Sequence, residues 1–571
     1  MKTKNHSTVL KGFGGVNNAN GHDDIHSASR IKNFRILNNG TLEKRQGFRF
    51  VTDLGGTVRA LYENKINGVS TLFLLIGSNV YTISRGEETL SFLGNVETSE
   101  GNACFFFFRE TLYLLDGEDV YEYSDNAFRR SIGYVPLVAK NWQNDVIGEP
   151  YEPRNILNPH ARATYIVSDT PSIYLCTGAP IRSVEAVYVN HGTVDPSRYS
   201  FNNTFKTITV QGLQAGDIVE AYFTYEDDRK ELLDRLCTST STALFGGIGS
   251  NRLFVCGGNR TGTVFSTKNI SSSELQLSKK HYPTSTDLYF PEGYEFDAGD
   301  GINAVQAVVR QYGHIIIFTE ADVLMITPDE DGSEFATATS VNARIGCPVE
   351  GGATLSDNRP ISIGDHSVYS WETGSQNRCL ASSISSPIAS ELSDELLRNS
   401  GIYYDFTRNE LWLYNSSLSY VWVYNTVAGA WYRFDGISAD RILGLHGSVA
   451  FIKDSKLYVF DEHCYFDVDE DGNSHDITAE YVTNASELGS MDMKRLTGIS
   501  LFADLCSDKL SIELAPYGKR SVSTVLSDGD RGLSPFITTR LSSGRFKKAV
   551  LTISTVSDAR QKIHGITLIT R

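Results

Sequence analysis

The residues whose types and spacing come nearest to a chemical site are Asp467-Val468-Asp469-Glu470-Asp471-Gly472. Alternate carboxylates ahead of a glycine open a Ca²⁺-binding loop, in which oxygen ligands wrap the ion and a bidentate Glu closes the loop at its twelfth position. Here the twelfth position is Thr478, and strand-like text flanks the loop on both sides. The segment reads as a polar hairpin turn tipped by Asp471-Gly472, with weak Ca²⁺ binding as the alternative. Asp329-Glu330-Asp331-Gly332 reads the same way. Gly246-Gly247-Ile248-Gly249 has the glycine density of a phosphate cradle but lacks its third glycine, and Arg252-Leu253-Phe254 follows as a strand rather than a helix.

Other chemistry is sparser. His281, His314, His366, His446, His463 and His475 are dispersed, none pairs at i, i+4, and neither H-E-x-x-H nor G-x-S-x-G occurs. A glycosidase needs two carboxylates brought together in space, which 68 acidic residues leave open, but the repeated Asp-box text of sialidase propellers is missing. Cys104, Cys176, Cys237, Cys256, Cys347, Cys379, Cys464 and Cys506 form no C-x-x-C pair and sit mostly in apolar stretches. They read as buried free thiols of a reducing compartment, against a metal site or a disulfide framework. The expectation is a protein that is not an enzyme, with no catalytic residue, no cofactor-binding residue and no metal site.

Net charge −16 and pI near 5.3 argue against a broad nucleic-acid-gripping face, which needs clustered Lys and Arg. The exception is C-terminal: Arg540, Arg545, Lys547 and Lys548, then Arg560, Lys562 and Arg571. These read as solvated strand faces, with contact to DNA or to an acidic neighbouring subunit as the alternative. No run of about 18 apolar residues exists, so no membrane span is expected, and the first residues lack the apolar core of a signal peptide.

The elements that would carry these residues are strands. Between Gly401 and Asp461 the text cuts into Ile402–Asp405, Leu411–Tyr414, Tyr420–Asn425 and Ala430–Phe434, then Ser448–Ile452 and Lys456–Phe460, each bounded by turn residues. This is antiparallel meander of the kind that builds β-propeller blades. A degenerate repeat supports it: FLLIGSNVYTIS (73–84), LYLLDGEDVYEYS (112–124), IIIFTEADVLMIT (315–327) and AFIKDSKLYVFD (450–461) are hairpins of similar length, as expected for the outer part of a four-stranded blade. Five to seven blades fit the text. Pro150, Pro153 and Pro159 mark an irregular break, after which strands at 172–176, 183–189, 199–202, 207–210 and 218–225 read as an inserted β-sandwich. One helix is expected at Ser390–Arg398, with Ser390 or Ser393 as its cap. Segments 141–159 and 286–301 read as irregular, mobile loops.

The fold class expected is all-β: a β-propeller with an inserted β-sandwich and a C-terminal β-sandwich. The segments are an N-terminal arm over 1–50, blades over 51–138, the insert over 139–230, further blades over 231–475 and the last sandwich over 476–571. In the arm, Asn38-Asn39-Gly40 turns a hairpin between Asn33–Leu37 and Thr41–Arg45, and the Gly- and Asn-rich residues before it read as loop.

The arm text N-F-R-I-L-N-N-G-T-L-E-K-R-Q-G, with Asn33, Gly40, Leu42, Lys44, Arg45 and Gly47 as its matching residues, resembles the opening of a family of tailed-phage virion proteins. The stretch LYFPEGYEFDAGDGINAVQAVVRQYGHIIIFTEADVLMI is similar to the middle of the same proteins, and AEYVTNASELGSMDMKRLTGISLFAD with RLSSGRFKKAVLTIST to their ending. The family is that of the tail nozzle, or packaged-DNA stabilisation, proteins of short-tailed phages (tail tubular protein B-like). The resemblance implies a virion tail protein assembled in the host cytoplasm as a homo-oligomeric, hexameric ring below the portal and adaptor. It implies contact with tail fibre, needle or spike proteins and transient passage of double-stranded DNA. The alternative is a virion-associated glycan-binding or glycan-cleaving receptor protein on the same scaffold, for which Trp412, Trp422 and Trp431 are the nearby candidates, although their strand alternation also suits a core.

Overall fold

The computed structural model describes residues 6–18, 25–66, 68–140, 151–167, 172–226, 229–245, 252–258, 262–299, 301–326, 339–342, 344–374, 378–488, 491–506, 508–527 and 536–571. The glycine run at 246–249 and the acidic turn at 329–332 lie outside the described residues.

Among the described residues, seven four-stranded antiparallel blades follow one another along the chain, six as separate sheets and one as part of a nine-stranded sheet. Blade 1 is Val58–Ile66, Val69–Ile76, Asn79–Ser84 and Ser91–Asn95; blade 2 is Cys104–Phe108, Thr111–Leu115, Val120–Ser124 and Ala127–Arg130. Blade 3 is Ser241–Phe245, Arg252–Cys256, Thr263–Ser266 and Glu295–Asp297; blade 4 is Val305–Gln311, His314–Thr319, Val323–Ile326 and Thr339–Asn342. Blade 5 is Ala353–Ser356, Arg359–Ile363, Val368–Gly374 and Arg378–Ser383. Blade 6 is Gly401–Asp405, Glu410–Tyr414, Tyr420–Asn425 and Ala430–Asp435, within a residue of the strands read from the text. Blade 7 takes Arg441–Leu445, Ser448–Lys453 and Lys456–Phe460 from its own stretch and its outermost strand, Phe48–Asp53, from the start of the chain.

The ring closes because every blade packs on the next. Phe73 and Leu75 of blade 1 meet Phe105 and Leu114 of blade 2, and Phe106 and Tyr113 meet Leu253 and Phe265 of blade 3. At the far end, Leu443 and Ile452 of blade 7 meet Val58 and Leu74 of blade 1. These contacts explain the repeated hairpins. All four are the second and third strands of their blades, not the outer part. With neighbouring blades on both faces, such strands become unbroken apolar runs, whereas the outermost Ser91–Asn95 and Ala127–Arg130 are largely exposed.

Between blades 2 and 3 the chain builds a separate sandwich. Leu137–Lys140, His160–Ile166, Ile218–Tyr225, Ile181–Val189 and Gly192–Thr193 form one sheet, and Ser172–Cys176, Thr207–Gln211 and Tyr199–Asn202 the other. Ala161, Val187, Ile208, Val219 and Phe223 fill the space between them. The strand at His160–Ile166 was not legible in the text.

The second sandwich is built from both chain ends. One sheet runs Phe34–Ile36, Leu42–Lys44, Lys562–Thr570, Leu496–Asp504 and Ile537–Thr539, with His6–Lys11 added along Lys562–Thr570. The other holds Thr478–Thr483, Ala549–Val556, Lys509–Pro516 and Val522–Ser527. Ala28–Lys32 joins this second sheet to the outer strand of blade 6, so nine strands run continuously from propeller to sandwich. The residues before the hairpin are therefore strands as well as loop, a correction to the sequence reading. Their apolar side chains, such as Leu10 and Ile31, are buried only because the C-terminal strands cover them.

Three further expectations change. The helix expected at Ser390–Arg398 is a 3₁₀ turn over Ser386–Glu391 followed by a short α-helix, Asp394–Arg398, capped by Ser393 and not by Ser390. Two helices were missed: Lys230–Cys237, and Ser272–Lys279, which starts on a capping box of Ser271 and Glu274. Of the segments read as mobile loops, 151–158 and 286–299 pack on each other, with Asn155 and Leu288 fully buried and Arg154 paired to Glu292 at 2.7 Å; residues 141–150 and 300 lie outside the described residues. Among the described residues, no helix is long and apolar enough to cross a membrane.

Candidate functional site

The innermost strands of the propeller surround a cavity of about 1250 Å³. Its charged lining is balanced: Arg59, Arg398 and Arg441 against Glu100, Glu350 and Asp440. Arg59 is spent on structure. Its guanidinium donates to the carbonyls of Gly101 (3.1 Å), Gly77 (3.0 Å), Thr98 (2.9 Å) and Asp116 (2.6 Å), tying blade 1 to blade 2. Arg441 donates to the Arg59 carbonyl at 3.3 Å and so ties blade 7 to blade 1. The lining holds the ring together, and within it the Thr240 hydroxyl donates to the Glu350 carboxylate.

A denser constellation lies where the arm hairpin meets blade 6, the hairpin Phe466–Val468/Ser474–Asp476 and the terminal sandwich. The six arm residues that carry the family resemblance are all here. Arg45, 1% exposed, grips Asp467 with two parallel bonds of 2.8 and 2.6 Å, and donates to the Asp435 carbonyl at 3.0 Å and to the Asn33 side chain at 2.8 Å. Asn33 sits at φ 54°, accepts from the Asp435 amide at 2.8 Å and donates to the Thr478 carbonyl at 2.8 Å. Lys44 donates to the carbonyls of Tyr465 (3.0 Å) and Ser557. Burial, reinforced by the adjacent Arg45 charge, pulls its ammonium down to about 8. Leu42 is fully buried. Gly47 passes so close to Phe466 that a Cβ would lie 1.8 Å from its carbonyl oxygen, and Gly40, at φ +75°, abuts Gly12. Beside them Arg35 pairs with the fully buried Glu410 at 2.5 Å, and Tyr432 donates to the same carboxylate at 2.7 Å. Burial raises the Glu410 carboxyl, with Arg35 opposing it.

Asp467, Asp469 and Glu470 of the apparent Ca²⁺ loop are engaged by protein groups, Glu470 by Lys456 at 2.6 Å. Asp467 belongs to Arg45. Asp469 accepts from the amides of Asp471 (3.0 Å) and Asn473 (2.8 Å) and from His475 at 2.9 Å, with Gly472 in the left-handed region. This is the polar hairpin turn. Among the described residues, no three His, Cys, Asp or Glu side chains come together as a metal site.

Trp412, Trp422 and Trp431 are 1%, 4% and 1% exposed and pack in the core. The cysteines that are described carry free thiols; Cys237, Cys256 and Cys347 are buried, and Cys506 is exposed. The C-terminal basic stretch is split by the fold. Arg560 and Lys562 lie against Glu43 at the arm junction. Arg540, Arg545, Lys547, Lys548 and Arg571 gather at the opposite end of the sandwich strands.

One cluster had no sequence signal. At the joint between the inserted sandwich and the propeller, Glu185 accepts from His160 at 3.0 Å and from Tyr282, while His281 stacks on Tyr222 with ring centroids 4.3 Å apart. Of the other histidines, His366 pairs with exposed Asp394 at 2.9 Å and His446 reaches Ser70 at 3.1 Å.

No family model and no curated protein matches the chain. Among solved structures, similarity is found to "AfRom2 CNH domain" (6% identity, 73% of this chain and 99% of that chain, TM-score 0.35). "Structure of Dos1 propeller" is similar at 11% identity over 73% of this chain and 94% of that chain, TM-score 0.33. Similarity at this level carries nothing about function or partners, and the all-β propeller architecture rests on the seven blades among the described residues of the chain itself.

Proposed function

We propose that this chain is a structural subunit of a ring-shaped, hexameric phage tail nozzle below the portal and adaptor, forming the channel that retains genomic DNA and then passes it during ejection. The observation that supports this reading is the arm junction. Of the residues that carry the family resemblance, Asn33, Lys44, Arg45 and Gly47 bond to or abut Asp435, Thr478, Tyr465, Ser557, Asp467 and Phe466 and so fasten the arm to blade 6 and to the C-terminal segments, while Leu42 is buried in the sandwich and Gly40 lets the hairpin abut Gly12. A closed propeller presents few free edges and makes a rigid wall unit. Overall negative charge suits a surface past which DNA must slide without adhering. The test is negative-stain microscopy with mass determination on the purified chain, and antibody labelling of intact particles. Six-fold rings and label on the tail axis are expected; a stable monomer that labels peripheral fibres would sink the reading. The glycan-binding alternative loses its candidate groups, since the three tryptophans lie in the core.

A further inference from the structure

The formal charge of this chain is divided by its fold. Residues 1–50 and 476–571, which together build the terminal sandwich, the arm junction and one blade strand, carry 22 Lys and Arg against 13 Asp and Glu, a net +9. The remainder, 51–475, carries 30 against 55, a net −25.

The positive charge is concentrated further. At the end of the sandwich away from Glu43, backbone bonds draw four segments together. Ser486 bridges Ala549, Lys494 bridges Phe546, the Tyr517 amide donates to the Lys548 carbonyl at 3.0 Å, and Arg495 and Arg571 exchange bonds of 2.9 Å. Lys519, Arg520, Arg545 and Lys547 are exposed there and carry no ion pair among the described residues. Between them stand exposed apolar side chains: Met491 at 78%, Tyr517 at 75% and Met493 at 52%. Cations alone would suit a phosphate backbone. Met and Tyr exposed among Arg are instead the residue types enriched in protein–protein contacts, and a Met side chain has no hydrogen to donate to a phosphate oxygen.

We infer that this basic, Met- and Tyr-bearing pole is the docking surface for a second copy of this chain, which it engages on the acidic propeller. The occupant follows from charge complementarity: the partner carrying −25 is the chain's own remainder. Two such poles repel, so a two-fold contact through them is disfavoured. The contact is heterologous, and heterologous contacts close into rings or run on as filaments. This inference rests on the ring reading above and specifies which surface makes the ring.

The test uses the full-length chain. Sedimentation velocity and mass photometry are run on the wild type, on Lys519→Glu/Arg520→Glu/Arg545→Glu/Lys547→Glu, and on Met491→Ser/Met493→Ser/Tyr517→Ser, with circular dichroism to confirm folding. The expected result is a wild-type oligomer that weakens with added salt, and variants whose assembly midpoint moves at least ten-fold higher in concentration. If the wild type assembles and folded variants assemble equally well, the docking surface is wrong while the ring reading stands. If the wild type stays monomeric at every concentration and salt, both fail. A double-stranded DNA oligonucleotide serves as the competing probe: charge reversal that abolishes DNA binding but leaves assembly intact overturns the inference in favour of a nucleic-acid surface.

Discussion

Arg45 and Asp467 stand 422 positions apart and form a two-pronged ion pair, Nη1 to Oδ1 at 2.8 Å and Nη2 to Oδ2 at 2.6 Å, with the guanidinium almost wholly buried. The pair fastens the arm to the hairpin that leads out of blade 7. Removing one partner leaves the other buried and uncompensated, which costs about 3–5 kcal/mol. Arg45→Ala and Asp467→Asn are each expected to lower the urea midpoint of the transition reported by tryptophan fluorescence. The double variant should cost less than the sum of the two. An unchanged midpoint in Arg45→Ala would mean that the junction does not hold the arm.

Gly47 is required by space rather than by backbone angle. A methyl group there collides with the Phe466 carbonyl, so the strand must shift, and Gly47→Ala is expected to destabilise by at least the ~1–3 kcal/mol typical of overpacking. Gly544, whose Cβ position is open, is the control. Thermal unfolding of the two variants side by side should separate them by several degrees; equal shifts would refute the steric account.

Closure of blade 7 depends on Phe48–Asp53. Phe48 meets Phe451, Tyr458 and Phe460 with ring centroids 5.0, 5.6 and 6.2 Å apart. Phe48→Ala is expected to cost about 3 kcal/mol and to open the outer edge of the blade. Amide hydrogen exchange over Lys456–Phe460 should rise while that of blade 4 stays unchanged. A uniform rise across all blades would instead indicate a global loss of stability.

Acid should loosen the joint of the inserted sandwich. Burial depresses His281 below its ordinary 6.5, with Glu185 acting against the shift. Burial works to raise Glu185, but hydrogen bonds from His160 and Tyr282 outweigh it and leave its carboxyl below the ordinary 4.5. Tyr188, Tyr222, Glu220 and Lys280 complete the charged and titratable surroundings. Both folded values lie below the unfolded ones, so the unfolded joint binds more protons. Its stability is complete above about pH 6.5 and falls with pH, through His281 first and Glu185 below 4.5. Limited proteolysis at pH 7 and pH 5 should show faster release of the insert at pH 5, with His281→Gln reducing the difference. Equal rates at both values would exclude the effect.

Thiol chemistry should follow burial. Cys104 and Cys347 are pushed up to about 12, and Cys237 and Cys256 also rise, because burial disfavours the thiolate. Brief alkylation of the native protein at pH 8, read by peptide mass, should modify exposed Cys506 ahead of these four. Early labelling of Cys256 would contradict the packing of blades 3 and 4.

The sequence by itself determined most strands of the blades. Ala430–Asp435 and Tyr420–Asn425 could be read because β-branched and aromatic runs between turn residues are a local property, and the inserted sandwich could be placed because prolines interrupt the pattern. The Asp469 turn was equally local, since its carboxylate serves amides two and four positions on. The capping box at Ser271 and Glu274 was also present in the text, but strand-rich surroundings hid it. Only the tertiary structure decided that Phe48–Asp53 closes blade 7, that the arm supplies four strands to a sandwich more than 400 residues away, and that Arg560 and Arg545 lie at opposite ends of that sandwich. These are pairings between distant segments. Their energy comes from burying both partners together, so neither partner's own text carries the signal.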